Sequence, residues 1–199
     1  MTQLTDQSLF EDVLCRYFKK PGFQNTAAVM EIVSRRAAAL GVKKILVATN
    51  SGQTAREALD VLGQDFKITA VTHVTGFKEP NHQELSDEAR RELEAKGITV
   101  LTCQHAFGGV GRGVRNKLST YQVEEIIAFA FRTAGQGVKV AVELALMAAD
   151  AGLVRTDENV ISIGGTGRGA DTALLLQPAN SFRLFDIKIK EVICKPVVF

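Results

Sequence analysis

The segment Ala48-Thr49-Asn50-Ser51-Gly52-Gln53-Thr54 sets hydroxyls, carboxamides and a glycine between the apolar run Ile45–Val47 and the helical pattern Ala55–Leu62. A strand, a polar turn and a helix N-terminus in that order turn unpaired backbone N–H groups toward one point, which is what a phosphate or other anion needs. Asn50 and Ser51 alone would suit a helix cap. A cap explains one polar side chain, not a run of polar and glycine positions, so the spacing points to a site for a phosphorylated small molecule.

A second segment, Gly164-Gly165-Thr166-Gly167-Arg168-Gly169-Ala170-Asp171, follows the strand pattern Val160–Ile163. Arg168 offers a planar donor fork to a phosphate or carboxylate, and Asp171 an acceptor for a ligand hydroxyl or ring N–H; an Arg168 to Asp171 clamp inside the loop is the alternative. Thr75-Gly76-Phe77 and His105 also stand just beyond apolar strand patterns, where ligands of open α/β sheets gather. His105 titrates near neutrality and suits proton transfer or donation to a carbonyl. Lys139 and Glu143 lie four apart on an apolar helical pattern, as an ordinary helix pair or as part of a pocket.

Several chemistries are disfavoured. Neither glycine run has the GxxxxGK[ST] order, and no GxGxxG is followed by a suitably spaced acid, so nucleotide hydrolysis and a dinucleotide site lack their signatures. His73, His82 and His105, three histidines in no metal-ligand spacing, make a poor case for a metal site. Cys103-Gln104-His105 has no orienting acid for a nucleophilic thiol. For a general base, His105 and Glu143 are the candidates.

The positioning elements follow from periodicity. Leu9–Phe18 reads as a short amphipathic helix, and with a helix over Thr26–Leu40 it gives an N-terminal helical segment over 8–40. Strands are expected at Val42–Ala48, Lys67–His73, Ile98–Cys103, Val160–Ile163 and Arg183–Cys194. Helices are expected at Gln53–Leu62, Leu85–Lys96, Thr120–Thr133 and Val138–Ala151. Residues 105–113 read as a glycine-rich loop, and Thr172–Gln177 as helix or coil. Strand and helix alternate as in one α/β domain over 1–199, a three-layer αβα sandwich with a mostly parallel sheet.

Composition agrees. The 199 residues are 46% hydrophobic and 23% charged, with a formal charge of +2. That is long enough for one substantial core and too evenly charged for a nucleic-acid footprint. No apolar stretch reaches the roughly 18 residues of a membrane span, and the acidic, polar start is unlike a signal segment, so a cytoplasmic protein is expected. Cys15, Cys103 and Cys194 are too scattered for a disulfide framework. The apolar Val138–Ala151 is consistent either with burial in the monomer or with a homo-oligomer.

On Ile45–Leu59, with Thr49-Asn50-Ser51-Gly52-Gln53-Thr54-Ala55 at its centre, and on Gly164–Asp171, the chain resembles the C-terminal α/β domain of pyruvate kinase and its stand-alone relatives without the barrel. The resemblance implies flavin mononucleotide as the bound cofactor and no pyruvate kinase activity from this stretch. It implies a phosphate on Thr49, Asn50, Ser51, Gly52 and Thr54; around the remainder, from their places after strands, the candidates are Thr75, Gly76, Phe77, His105, Gly165, Thr166, Gly167, Arg168, Gly169 and Asp171, with a turn folded onto the core the alternative for Phe77 and a satisfied loop histidine that for His105. Gln53 stands where that family's loop often has arginine, which weakens the case for a sugar bisphosphate. Three functions fit: a flavin-dependent oxidoreductase, a non-catalytic phosphate-effector sensor, and a phosphosugar-binding enzyme.

Overall fold

The structure, a computed structural model, describes residues 9–198; residue 8, the expected start of the helical segment, lies outside them. Seven strands form one sheet in the order β1 (Arg16–Phe18), β7 (Lys188–Pro196), β6 (Thr172–Gln177), β5 (Val160–Gly164), β2 (Lys44–Ala48), β3 (Lys67–Val71), β4 (Thr99–Leu101). Every neighbouring pair is parallel except the two that β6 makes.

Alternation along the central strands divides the core. Ile45, Val47, Ile161 and Ile163 pack with α1 (Thr26–Leu40), α2 (Gln53–Leu62) and α3 (Asp87–Ala95) on one face. Leu46, Val160, Leu174 and Leu176 pack with α5 (Val123–Arg132) and α6 (Gln136–Asp150) on the other. Both faces of a strand are therefore apolar, which is why these strands read as continuous runs. The expected three-layer sandwich is this arrangement. Helix α6 buries its apolar residues between the sheet and α5, so the monomer itself accounts for its composition. Among the described residues no helix is long and apolar enough to cross a membrane, and all three cysteines are free.

Four expectations are corrected, the first being the strand over Arg183–Cys194, which begins only at Lys188 after a 3-10 turn over Ser181–Asp186. Residues 9–15 form no helix: Leu9, Phe10 and Leu14 stay exposed with no surface to cover them, and Arg16–Phe18 is instead an edge strand on β7. Thr172–Gln177 is the antiparallel strand β6, whose apolar run, buried on both faces, shows neither helical nor strand periodicity. The second half of the glycine-rich loop is the helix α4 (Val110–Leu118). Its low propensity is overridden by packing on α5, where Gly111 lets α4 come close to Gln122 and Glu124. Arg115 of α4 also pairs with Glu125 of α5 at 2.9 Å.

The chain runs from β2 outward through β3 to β4, then crosses back through α4, α5 and α6 to enter β5 on the other side of β2. The order reverses between β2 and β5. A crevice opens at the carboxyl ends of the strands at such a point, and both polar, glycine-rich segments leave the sheet there.

Candidate functional site

The turn after β2 is folded by its own groups. Thr49 N–H donates to Val71 O at 2.9 Å, and the buried Thr49 hydroxyl accepts from Gly52 N–H at 3.1 Å. Gly52 takes φ +87° as the N-cap of α2, a conformation side chains avoid, and a Cβ there would press on Leu85 and Leu93 at 3.3 Å. Among the described residues, the side chains of Asn50, Ser51 and Thr54 have no hydrogen-bond partner. Neither Asn50 nor Ser51 caps α2 through its side chain. The polar run thus keeps its donors after the helix start is formed.

The loop after β5 faces it. Asp171, fully buried, accepts through Oδ2 from Gly22 N–H at 2.9 Å and Thr166 N–H at 3.1 Å, and through Oδ1 from the Thr172 hydroxyl at 2.8 Å. Its acceptors are spent on the fold, and it does not partner Arg168. It ties the loop to the segment leading into α1, where Thr26 Oγ1 also accepts from Ala170 N–H at 3.0 Å. Arg168 is exposed, with no carboxylate partner among the described residues. Gly164 lets α6 approach, since a Cβ there would lie 2.4 Å from Gly137 O.

Together these loops wall a cleft of about 750 Å³, within the usual range of small-molecule sites. Thr49, Asn50, Ser51, Thr54, Gly165, Gly167, Arg168 and Gly169 line it, joined by Thr26 at the start of α1, Gln53 at the start of α2 and Gln136 at the start of α6. Three helix N-termini therefore meet in one cleft, each equivalent to roughly half a positive charge. Lys78 and Arg168 are balanced by Glu57 and Glu84 on the same walls, so any net positive field in the cleft comes from the helix ends and loop donors.

The other expected contacts lie apart from these walls. Gly52 is buried beneath the turn and Thr166 lies behind the loop, its hydroxyl buried without a partner. Thr75 Oγ1 accepts from Gln83 Nε2 at 3.3 Å and Gly76 N–H donates to His82 O, so residues 73–84 fold on themselves. The Phe77 ring is occupied by His73 with centroids 4.1 Å apart, by His105 at 5.3 Å and by the Arg112 guanidinium at 5.5 Å. His105 is 9% exposed, and its Nε2 accepts from Val74 N–H at 3.3 Å. Burial, with His73, Lys139 and Arg112 adding to it against the opposing pull of Glu143, lowers its pKa to about 4. Lys139 and Glu143 form a buried pair, Glu143 also accepting from Phe107 N–H at 2.9 Å. Burial lowers the Lys139 pKa despite that partner.

Sequence reasoning missed the residue that does line the cleft with proton-transfer chemistry. His73 follows β3, and its Nδ1 lies 2.6 Å from Glu84 Oε2, while Lys78 Nζ lies 2.5 Å from Glu84 Oε1. The available signal was its place after a parallel strand; the acid eleven residues on is brought back only by the folded loop.

A model of the family described as pyruvate kinase, alpha/beta domain, matches residues 27–176, from α1 to the end of β6. The chain belongs to that family. Among solved structures it is similar to Cryptosporidium parvum pyruvate kinase in complex with ADP, at 17% identity over 75% of this chain and 22% of that one, with a TM-score of 0.39. Two further structures of pyruvate kinase from that organism match at 16% and 17% identity, covering 75% and 73% of this chain and 22% and 21% of theirs, with TM-scores of 0.40 and 0.37. The chain spans about a fifth of the length of these enzymes. Within this pyruvate kinase alpha/beta domain, the matched region holds every wall of the cleft named above except Thr26 at the start of α1.

Proposed function

We propose that the domain binds a phosphorylated small molecule, with the phosphate on the Thr49–Thr54 turn and Arg168 closing from the opposite loop. The observation that supports this is the convergence of three helix N-termini with two donor-rich loops on one cleft at the switch point of the sheet. Backbone N–H groups at a helix start and unpartnered hydroxyls satisfy a dianion without a lysine. A phosphate-effector sensor and a phosphosugar-binding enzyme share this seat.

The flavin reading keeps the same phosphate seat, but of its expected ring contacts His105 is buried and the partly exposed Phe77 already packs on His73 and Arg112 away from the cleft walls. The seat carries the hydroxyls and carboxamides of Thr49, Asn50, Ser51, Gln53 and Thr54, which suits a sugar phosphate.

Two measurements test the proposal. Calorimetric titration with ribose phosphate, against ribose as control, is expected to show binding only for the phosphorylated compound; equal responses, or none, overturn it. A visible absorbance spectrum of freshly purified protein, with mass analysis of what denaturation releases, is expected to show no flavin. Released flavin mononucleotide would restore the flavin reading.

A further inference from the structure

The cleft holds an imidazole and carboxylate pair that phosphate binding does not need. The Glu84 side chain is 10% exposed. Burial pushes its pKa up, but hydrogen bonds from Lys78 and His73 outweigh this and hold the carboxyl below its ordinary range, so it is ionised at neutral pH. Facing an ionised acceptor, Nδ1 of His73 is the protonated nitrogen, which leaves the lone pair of the neutral ring on Nε2. The ring is fixed by Phe77, with centroids 4.1 Å apart, and its backbone by Gln83 Nε2 donating to His73 O at 3.0 Å. His105 stands 5.4 Å away between centroids and, being neutral, adds no charge. A base oriented by a nearly buried carboxylate, sharing the cleft walls with Lys78 and Arg168, suits proton abstraction beside a carbonyl.

We propose that His73 is a proton-transfer residue acting on a phosphorylated hydroxyaldehyde or hydroxyketone held at the Thr49–Thr54 turn; this rests on the phosphate reading above. Nε2 takes the proton from the hydroxyl-bearing carbon next to the carbonyl. The C–H electron pair becomes the new C=C bond, and the carbonyl pair moves onto oxygen, which Lys78 or Arg168 neutralises. The protonated imidazole returns its proton to the former carbonyl carbon while the other oxygen gives up its hydroxyl proton to the alkoxide and becomes the carbonyl. The exchange is an isomerisation that needs no oxidant or reductant. Glu84 is the positioning residue: it fixes the tautomer and stabilises the imidazolium.

The test follows carbon-bound proton exchange by NMR in heavy water, using glyceraldehyde phosphate, dihydroxyacetone phosphate and ribose phosphate with the full chain. Binding of each compound is measured separately by calorimetry. The parent is expected to exchange at least one compound above the protein-free rate. His73→Gln should lose on the order of 10²- to 10⁴-fold in that rate with binding unchanged, and Glu84→Gln should lose rate without losing binding. Binding with no exchange by the parent, or undiminished exchange by His73→Gln, overturns this proposal and leaves the phosphate reading standing. Failure of all three compounds to bind overturns both.

Discussion

Replacing His105 by Gln isolates the stability consequence of burying a neutral imidazole. The His105 pKa is lowered from 6.5 to about 4, chiefly by burial. Between those values the unfolded chain binds a proton that the folded chain refuses. Stability from this group is therefore complete above pH 6.5 and is lost as pH falls through the window. With those two constants the parent should lose roughly 2 kcal/mol near pH 5 and roughly 3 kcal/mol near pH 4 relative to neutral pH. Gln at this position keeps an acceptor for Val74 N–H and has no proton to take up. Urea unfolding of both proteins across this range should show the parent's advantage over the variant shrinking by about that amount as pH falls. Glu143, His73, Lys139 and Arg112 face the ring in both proteins, so the difference between the curves reports His105. Parallel curves would refute the reasoning, because they would mean that His105 is as easily protonated in the fold as outside it.

Asp171→Ala removes the acceptors of two backbone N–H groups and one hydroxyl; unfolding should become easier by roughly 3 kcal/mol or more, read by urea denaturation. Lys139→Met leaves the buried Glu143 carboxylate without its cation and should cost about 3 to 5 kcal/mol by the same assay. Arg168→Ala should leave the melting temperature unchanged, since the side chain is exposed and without a carboxylate partner among the described residues. It should weaken ribose phosphate binding by about 1.5 to 3 kcal/mol in calorimetry, as for a lost charged hydrogen bond.

Much of the fold was legible because its signals are local. Thr26–Leu40 ended by Gly41, and the strand, polar turn and helix around Thr49–Thr54, were read from period and punctuation and are present as read. What failed depended on partners distant in sequence. The pattern at Leu9–Leu14 required a surface that the fold does not supply, and β6 was hidden because both its faces are covered. Helix α4 forms despite Gly111 and Gly113 because it packs on α5, where Gly111 sits close to Gln122 and Glu124 and Arg115 pairs with Glu125. At the site, the two loops were found from their glycines and hydroxyls. The internal role of Asp171 was not legible because its buried partners come from residues 22, 166 and 172. His73 was passed over because Glu84 reaches it only through the folding of residues 73–84.

The central claim is that the Thr49–Thr54 turn seats a phosphate, and amide proton–nitrogen correlation spectra during titration with inorganic phosphate at constant ionic strength test it most directly. The account predicts saturable shifts confined to the N–H groups of Ser51–Ala55 and of the facing Gly165–Gly169 loop, abolished in Ser51→Asp, where an added carboxylate repels the anion. Shifts absent from that turn, or undiminished in the variant, would contradict it.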